Sequence, residues 1–396
     1  MIPRSAAETL LRLARGFPIV ALTGPRQSGK TTLAKATFPE KAYVSLENPD
    51  ERAFASEDPR RFLARFDDGA ILDEVQRCPA LLSWLQGWVD ERGRMGDFIL
   101  TGSAQFDLLA GISQSLAGRV GRVELLPLSL AELGAVQRLP RDIETALFTG
   151  GYPALYDRPL APADWYAHYV GTYLERDVRQ LINVRDLGLF QVFLKMCAAR
   201  TGQILNLASL GADCGISAVT ARQWLTVLEV SGIVMLLRPH YRNFGKRMVK
   251  SPKLYFLDCG LAAWLLGIRE SPTLQTHALR GALFETLVVS ECMKGRCHAG
   301  QPPDLYFWRD STGLEVDLLL ETPQGLQPIE IKSGTTVASD WLTGLMKWQR
   351  LAGVETPMPC VIHAGSGAYE REGCLVLGWE HALGTTAGFT RESTTP

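Results

Sequence analysis

The chain holds no Cys-x-x-Cys pair. Its eight cysteines are scattered from Cys78 to Cys374, and most lie in apolar surroundings where a thiol acts as a small hydrophobe. That spacing excludes a structural zinc module and fits a reducing, cytoplasmic setting. The six histidines have no metal-ligand spacing either. No apolar run is long enough to cross a bilayer, and the opening Met-Ile-Pro-Arg-Ser lacks a secretory apolar core. Membrane insertion and export are therefore not expected. A net charge of −1 excludes a globally basic nucleic-acid coat while leaving room for local basic patches. Internal repeats and long low-complexity tracts are missing, and only the Thr- and Ser-rich tail after Gly384 is expected to fray.

What the chain does have is a complete phosphate-binding loop, Gly24-Pro25-Arg26-Gln27-Ser28-Gly29-Lys30-Thr31, continued by Thr32. An apolar run, Pro18 to Thr23, enters it, and a helical stretch, Thr31 to Phe38, leaves it. A buried strand, a glycine-rich turn and a helix in succession aim several backbone N–H groups at one point. The helix dipole adds positive charge there, and Lys30 is long enough to reach β- and γ-phosphates. Thr31 supplies a hydroxyl for Mg²⁺. The expected ligands are ATP and Mg²⁺, held by residues 24–32. Downstream, Ala70-Ile-Leu-Asp73-Glu74 reads as a buried strand ending in two carboxylates. Asp73 suits Mg²⁺ through its hydration shell, and Glu74 suits a base that orients and deprotonates an attacking water. By itself such a pair would more often be a solvated strand end; the loop upstream reverses that balance.

With 396 residues, 46% of them hydrophobic and 21% charged, the chain is long enough for two or three globular domains. Residues 16–130 alternate apolar runs with helical patterns. Strands are expected at Ile19–Thr23, Ala42–Leu46, Ala70–Asp73, Phe98–Gly102 and Arg122–Leu126, with helices at Ala80–Arg92 and Ala104–Leu116. That alternation argues for an α/β parallel sheet. Residues 140–270 turn helical, over Trp165–Leu181, Phe190–Ala199 and a helix-turn-helix pattern from Asn206 to Glu229 with its turn at Gly215. The strand Ile233–Leu237 and the basic turn Arg238–Lys253 then resemble a wing. The last part opens with a helix, His277–Met293, followed by strands at Asp304–Trp308, Gly313–Glu321 and Gln327–Ile331. The division read from this is 1–135, 136–270 and 271–396.

A second chemical cluster lies in the last part: Glu285 on its helix, Asp317 on one strand, and Glu330 with Lys332 on the next. Strand alternation puts Glu330 and Lys332 on one face, with Ile331 on the other. If the strands form a hairpin, Asp317 sits beside Glu330. Converging carboxylates bind Mg²⁺ or Mn²⁺, which makes Glu285, Asp317 and Glu330 the candidate ligands of a second metal. Lys332 would then position or activate a water for phosphodiester attack. The plain alternative is a charged, solvated strand face.

In chain order, Ala42–Leu46 falls between the phosphate-loop strand and the Asp-Glu strand, and Phe98–Gly102 follows, ending near Thr101 and Ser103. This resembles the AAA+ ATPases, in which an inserted strand separates the two acidic and phosphate-binding elements. The resemblance implies Ser103, or Thr101, as the first sensor, and Arg119 in Leu116-Ala-Gly-Arg119 as an arginine finger acting on a neighbouring copy. Arg122 is the competitor for that role. The helix Glu, strand Asp and Glu-x-Lys resemble the PD-(D/E)xK nuclease superfamily, with its restriction-endonuclease-like α/β fold. Taken together, the chain resembles a family of prokaryotic AAA+-superfamily ATPases joining an AAA-type domain to a C-terminal domain without assigned function. The matching stretches include Leu22 to Thr31, Leu72 to Gln76, Leu100 to Ser103, Gly150 to Pro153, Tyr173 to Asp177, Lys253 to Leu261, Gly281 to Glu285, Glu315 to Asp317 and Ile329 to Lys332.

DNA contact is weighed through Arg222 and Gln223 on the second helix of the helix-turn-helix, and through Arg238, Arg242, Lys246, Arg247, Lys250 and Lys253 in the wing. Winged helices also pack against proteins. Glu175-Arg176-Asp177 reads as an ion-paired helix face or a nucleotide-sensing contact, Asp258 as a helix cap, and Trp84 with Trp88 as core or interface. The expected function is a Mg²⁺-dependent ATPase acting as a switch on a nuclease-like, DNA-binding second half. The alternative is an ATP-dependent regulatory module whose nuclease-like fold is a scaffold. A small-molecule kinase is disfavoured by the inserted strand and the Asp73-Glu74 pair.

Overall fold

The computed structural model describes residues 1–103, 115–174, 187–240, 249–353, 356–381 and 388–389. Its contacts gather the chain into two compact units. One comprises Met1–Leu128, Val230–Gly232 and Cys297–Gln301; the other comprises Ser129–Glu229, Ile233–Arg296 and Pro302–Pro396. Most of the expected helix 104–116, the Glu175-Arg176-Asp177 triplet and wing residues Arg242, Lys246 and Arg247 lie outside the described residues.

In the first unit, β1 (Ile19–Thr23), β2 (Ala42–Ser45), β3 (Ala70–Asp73), β4 (Phe98–Thr101) and β5 (Val120–Glu124) form a parallel sheet in the order β2-β3-β4-β1-β5. Strands β1, β3 and β4 are buried along their whole length, as a sheet covered on both faces requires. Alternation along β1 shows how. Ile19 and Ala21 pack into a core with Phe62 and Leu85, while Val20 and Leu22 pack into another with Leu10 and Leu33. Helices Pro59–Leu63 and Leu81–Arg92 supply the first layer, and Ala6–Gly16 and Lys30–Thr37 the second. On the helix Leu81–Arg92, Trp88 packs against the core whereas Trp84 is 49% exposed. In the sheet it is β4 that separates β1 from β3, and β2 lies at the edge. The carboxyl ends of β1, β3 and β4 thus open side by side, which is where such sheets bind ligands.

The second unit holds a mixed sheet of nine strands among the described residues. These are β6 (Gln203–Ile204), β7 (Val234–Pro239), β8 (Lys253–Phe256), β9 (Leu305–Arg309), β10 (Glu315–Thr322), β11 (Gly325–Lys332), β12 (Cys360–His363), β13 (Ala368–Arg371) and β14 (Cys374–Gly378). Their order is β13-β14-β12-β11-β10-β9-β7-β8-β6. Strands β7 and β8 are antiparallel, β7 runs parallel to β9, and β9, β10 and β11 form an antiparallel meander. Helix Ser339–Ala352 lays Leu342, Leu345 and Trp348 against Trp308, Val316 and Val361 of the sheet. Helices Leu207–Asp213 and Ala218–Val230 flank a turn in which Gly215 takes φ +69°, and Asn206 caps the first through the Ser209 N–H. Asp258 caps Cys259–Leu265, accepting from the Leu261 N–H at 2.8 Å and from the Tyr166 hydroxyl at 2.6 Å. Among the described residues no helix is long and apolar enough to cross a membrane.

Candidate functional site

The loop after β1 begins at Gly24, whose φ of +144° and 2.2 Å approach of a notional Cβ to the Leu125 carbonyl oxygen admit no side chain. Gly29, with φ +94°, turns the chain into helix Lys30–Thr37. The buried Lys30 Nζ donates to the carbonyls of Gly24 at 3.1 Å and Pro25 at 2.7 Å, so it lies across the loop. Ser28 is fully buried, and its Oγ has no hydrogen-bond partner. A bent loop with a folded-in ammonium and an orphaned hydroxyl fits a phosphate chain that replaces the carbonyls as the lysine's partner.

Asp73, at the end of β3, is the hub of the site. Its carboxylate accepts from the Thr31 hydroxyl at 3.1 Å to each oxygen, from Tyr43 at 2.8 Å and from Thr101. Burial, followed by the bond to Asp73, pushes the Tyr43 hydroxyl up to about 12, so it stays a donor. Glu74 follows in a left-handed conformation, φ +56°. Gln76 donates from Nε2 both to Glu74 and, at 3.1 Å, to Ser103 Oγ. The two sensor candidates therefore part company: Thr101 touches Asp73, and Ser103 reaches Glu74 through Gln76. Arg119 is held by Asp90 of the same chain, with Nε and Nη2 donating to the two carboxylate oxygens at 2.6 and 2.7 Å. Arg122 lies 3.6 Å from Glu124. Tyr43 and Gln76 escaped the sequence reading; the only signal for Gln76 was its place two residues beyond Glu74.

The second cluster is brought together by the meander. Register Leu318↔Ile329 sets Asp317 opposite Glu330, and an extra residue between Val316 and Leu319 makes a bulge against β9. Bulges re-aim side chains. A cavity of about 560 Å³ results, whose lining includes Glu285, Asp317, Glu330 and Lys332 together with Lys253, Glu315 and Arg309. Asp317 Oδ2 accepts from the Ile331 N–H at 2.9 Å and from Lys332 Nζ at 3.4 Å, and Lys332 lies 2.5 Å from Glu330. Lys253, read from the sequence as a wing base, instead bridges Glu285 at 2.9 Å and Glu315 at 2.6 Å. A lysine opening an otherwise apolar strand is the signal that it has a buried partner. Lys250, Arg222 and Gln223 remain at the surface.

Burial, then the Asp317 charge, raises Glu285 above the usual carboxylate range, against the opposing Lys253. The same two causes push Glu330 up to about 8 despite Lys332. Burial alone would lower both lysines; the surrounding carboxylates outweigh it and hold Lys253 and Lys332 above the ordinary ammonium value. Glu330 Oε2 is buried without a hydrogen-bond partner. Among the described residues no group of three or more His, Cys, Asp or Glu is disposed to hold a metal ion. The carboxylates of this cavity are met by the chain's own cations.

Residues 16–134 match the AAA domain family. Residues 140–272 and 280–381 match two domains of unknown function, DUF8612 and DUF4143. An uncharacterized protein of Mycobacterium tuberculosis and one of Mycobacterium bovis are each 34% identical over 340 residues, covering 84% of this chain and 74% of the relative. Among solved structures, the Walker-type ATPase PABY2304 of Pyrococcus abyssi is similar at 15% identity, covering 67% of this chain and 96% of its own, with a TM-score of 0.45. The RuvB Holliday junction branch migration motor of Thermotoga maritima is similar at 20% identity, covering 59% and 88%, with a TM-score of 0.31.

Proposed function

We propose that this chain, which belongs to one family with its uncharacterized mycobacterial relatives and carries an AAA domain over residues 16–134, is an ATP-hydrolysing switch. Its nucleotide state would set how the second half engages nucleic acid or a protein partner. The bond from Thr31 to Asp73 beside the phosphate loop, with Glu74 the next residue in the chain, carries this reading. Loop N–H groups and the Lys30 ammonium would receive the β- and γ-phosphates of ATP, and Thr31 with Asp73 would hold Mg²⁺. The bound Mg²⁺ neutralises charge on the phosphates. Glu74 orients a water and accepts its proton, while Gln76 ties Glu74 to Ser103 and so fixes its carboxylate. Arg119 would serve a neighbouring copy once released from Asp90. Mg²⁺-dependent phosphate release that collapses in Lys30→Ala and Glu74→Gln tests the assignment; normal turnover in both variants would sink it. Release without a small-molecule acceptor excludes a kinase.

For the second half, the exposed Arg222 and Gln223 on helix Ala218–Val230 support nucleic-acid contact. The nuclease-like reading assigns Asp317, Glu330 and Lys332 to phosphodiester attack, with Glu285 beside them. A second reading, a scaffold without cleavage, is favoured by the ion pair that each of these carboxylates already makes within the chain. Plasmid nicking with Mn²⁺ separates the two: cutting lost in Asp317→Ala and Lys332→Ala supports the nuclease, and no cutting in any nucleotide state supports the scaffold.

A further inference from the structure

We infer that Lys253 is the resident cation of the carboxylate cavity: its ammonium compensates Glu285 and Glu315 from within the chain and closes the cavity to divalent metal. The inference bears on the nuclease-like reading of this half, which would call for a metal among these residues, and stands with the scaffold reading.

Lys253 opens β8, a strand whose four residues are all buried, and its own side chain is 4% exposed. A buried ammonium is tolerated only when paired and hydrogen-bonded. This one reaches Glu285 Oε1 on helix Arg280–His298 and Glu315 Oε1 on β10, with the Phe307 ring centre 5.5 Å away. The strand leaves it little freedom at the backbone, since Lys253 registers against Ile204 of β6 on one side and Leu237 of β7 on the other.

The other carboxylates of the cavity are also paired, and the Glu285 oxygen held by Lys253 has a second donor. Tyr255 donates to Glu285 Oε1 at 2.5 Å, Arg309 lies 3.2 Å from Glu315 Oε2, and Lys332 serves both Asp317 and Glu330. Every carboxylate of the cavity thus faces a cation of this chain. A divalent ion needs several oxygens free to approach at about 2.0–2.6 Å. Entering beside Lys253, it would compete for the same oxygens and meet a like charge at contact distance.

The test is Mn²⁺ titration of the full-length, nucleotide-free chain, with free Mn²⁺ read by electron paramagnetic resonance. An Asp73→Asn background removes the phosphate-loop contribution. The parent should show no Mn²⁺ binding that Asp317→Asn abolishes. Lys253→Met should gain one Mn²⁺ per chain, bound about tenfold or more tighter than by the parent, and lose it again on adding Asp317→Asn. Lys253→Arg, which keeps the charge, should gain none. Asp317-dependent binding in the parent overturns the inference, as does a Lys253→Met chain with a native melting transition and no gained site. Should Lys253→Met fail to fold, the parent and Asp317→Asn comparison decides alone. Mn²⁺ bound by Lys253→Met without plasmid nicking removes the cleavage reading and leaves the inference standing.

Discussion

The Thr31 hydroxyl donates to both carboxylate oxygens of Asp73, at 3.1 Å each. The two residues meet because β4 spaces β3 from β1, so the loop after one strand faces the end of the other. With Tyr43 and Thr101 also on Asp73, the carboxylate is oriented before any ligand arrives. Hydrolysis then depends on what stands next to that fixed group.

Glu74→Gln should lower kcat for ATP by about 10²- to 10⁴-fold, the usual worth of a positioned base. Gln76→Ala should lower kcat by a smaller factor, about tenfold, with KM unchanged, because it removes the tether on Glu74 and no phosphate contact. Steady-state phosphate release measures both. A Gln76→Ala enzyme that loses only ATP affinity would place the residue in binding instead.

The Arg119–Asp90 pair makes the trans-acting role testable. Arg119→Ala should lose turnover alone yet recover it when mixed with Lys30→Ala, which cannot hydrolyse but still presents Arg119. Asp90→Ala should raise turnover at limiting protein concentration, since the guanidinium is no longer held in its own chain. Failure of the mixture to recover would confine Arg119 to a surface ion pair.

Glu330, pushed up to about 8 from its ordinary 4.5, binds a proton in the folded chain over a range in which the unfolded chain does not. Stability should therefore fall as pH rises through that window. Thermal melts between about pH 5 and pH 8 should show a downward trend in the native chain that is flatter in Glu330→Gln. Parallel slopes would mean that Glu330 is ionised throughout.

Gly24→Ala should displace the loop, because a Cβ there falls 2.2 Å from the Leu125 carbonyl oxygen at a φ of +144°. Strain of this kind costs about 1–3 kcal/mol. A lowered melting temperature together with lost binding of a fluorescent ATP analogue is expected; unchanged binding would mean that the loop accommodates the methyl group.

The sequence was most legible where periodicity and punctuation coincide. Strands Ile19–Thr23 and Ala70–Asp73 stand where their apolar runs predict, and Asp258 caps the helix that follows it. The pairing of Asp317 with Glu330 follows from alternation plus a turn. What stayed hidden depends on contacts distant in the chain. Lys253 looked like one more wing cation, since nothing local says that its ammonium meets Glu285, 32 residues on. Tyr43 hid for the same reason: a tyrosine on an edge strand carries no sign that a neighbouring strand ends in its acceptor. The bulge in β10 has no glycine to announce it, and it alters which side chains reach the cavity.

Strands β7 and β9 are joined in parallel, through Arg238 with Tyr306 and Pro239 with Phe307. A chain severed near residue 270 would strip each strand of its neighbour and leave two raw edges able to recruit other chains. The stretch read from sequence as a helical middle and the stretch read as a nuclease-like end are therefore poor candidates for separate expression. Gene fusions or truncations that part them should yield insoluble products, and recombination would have to move them together.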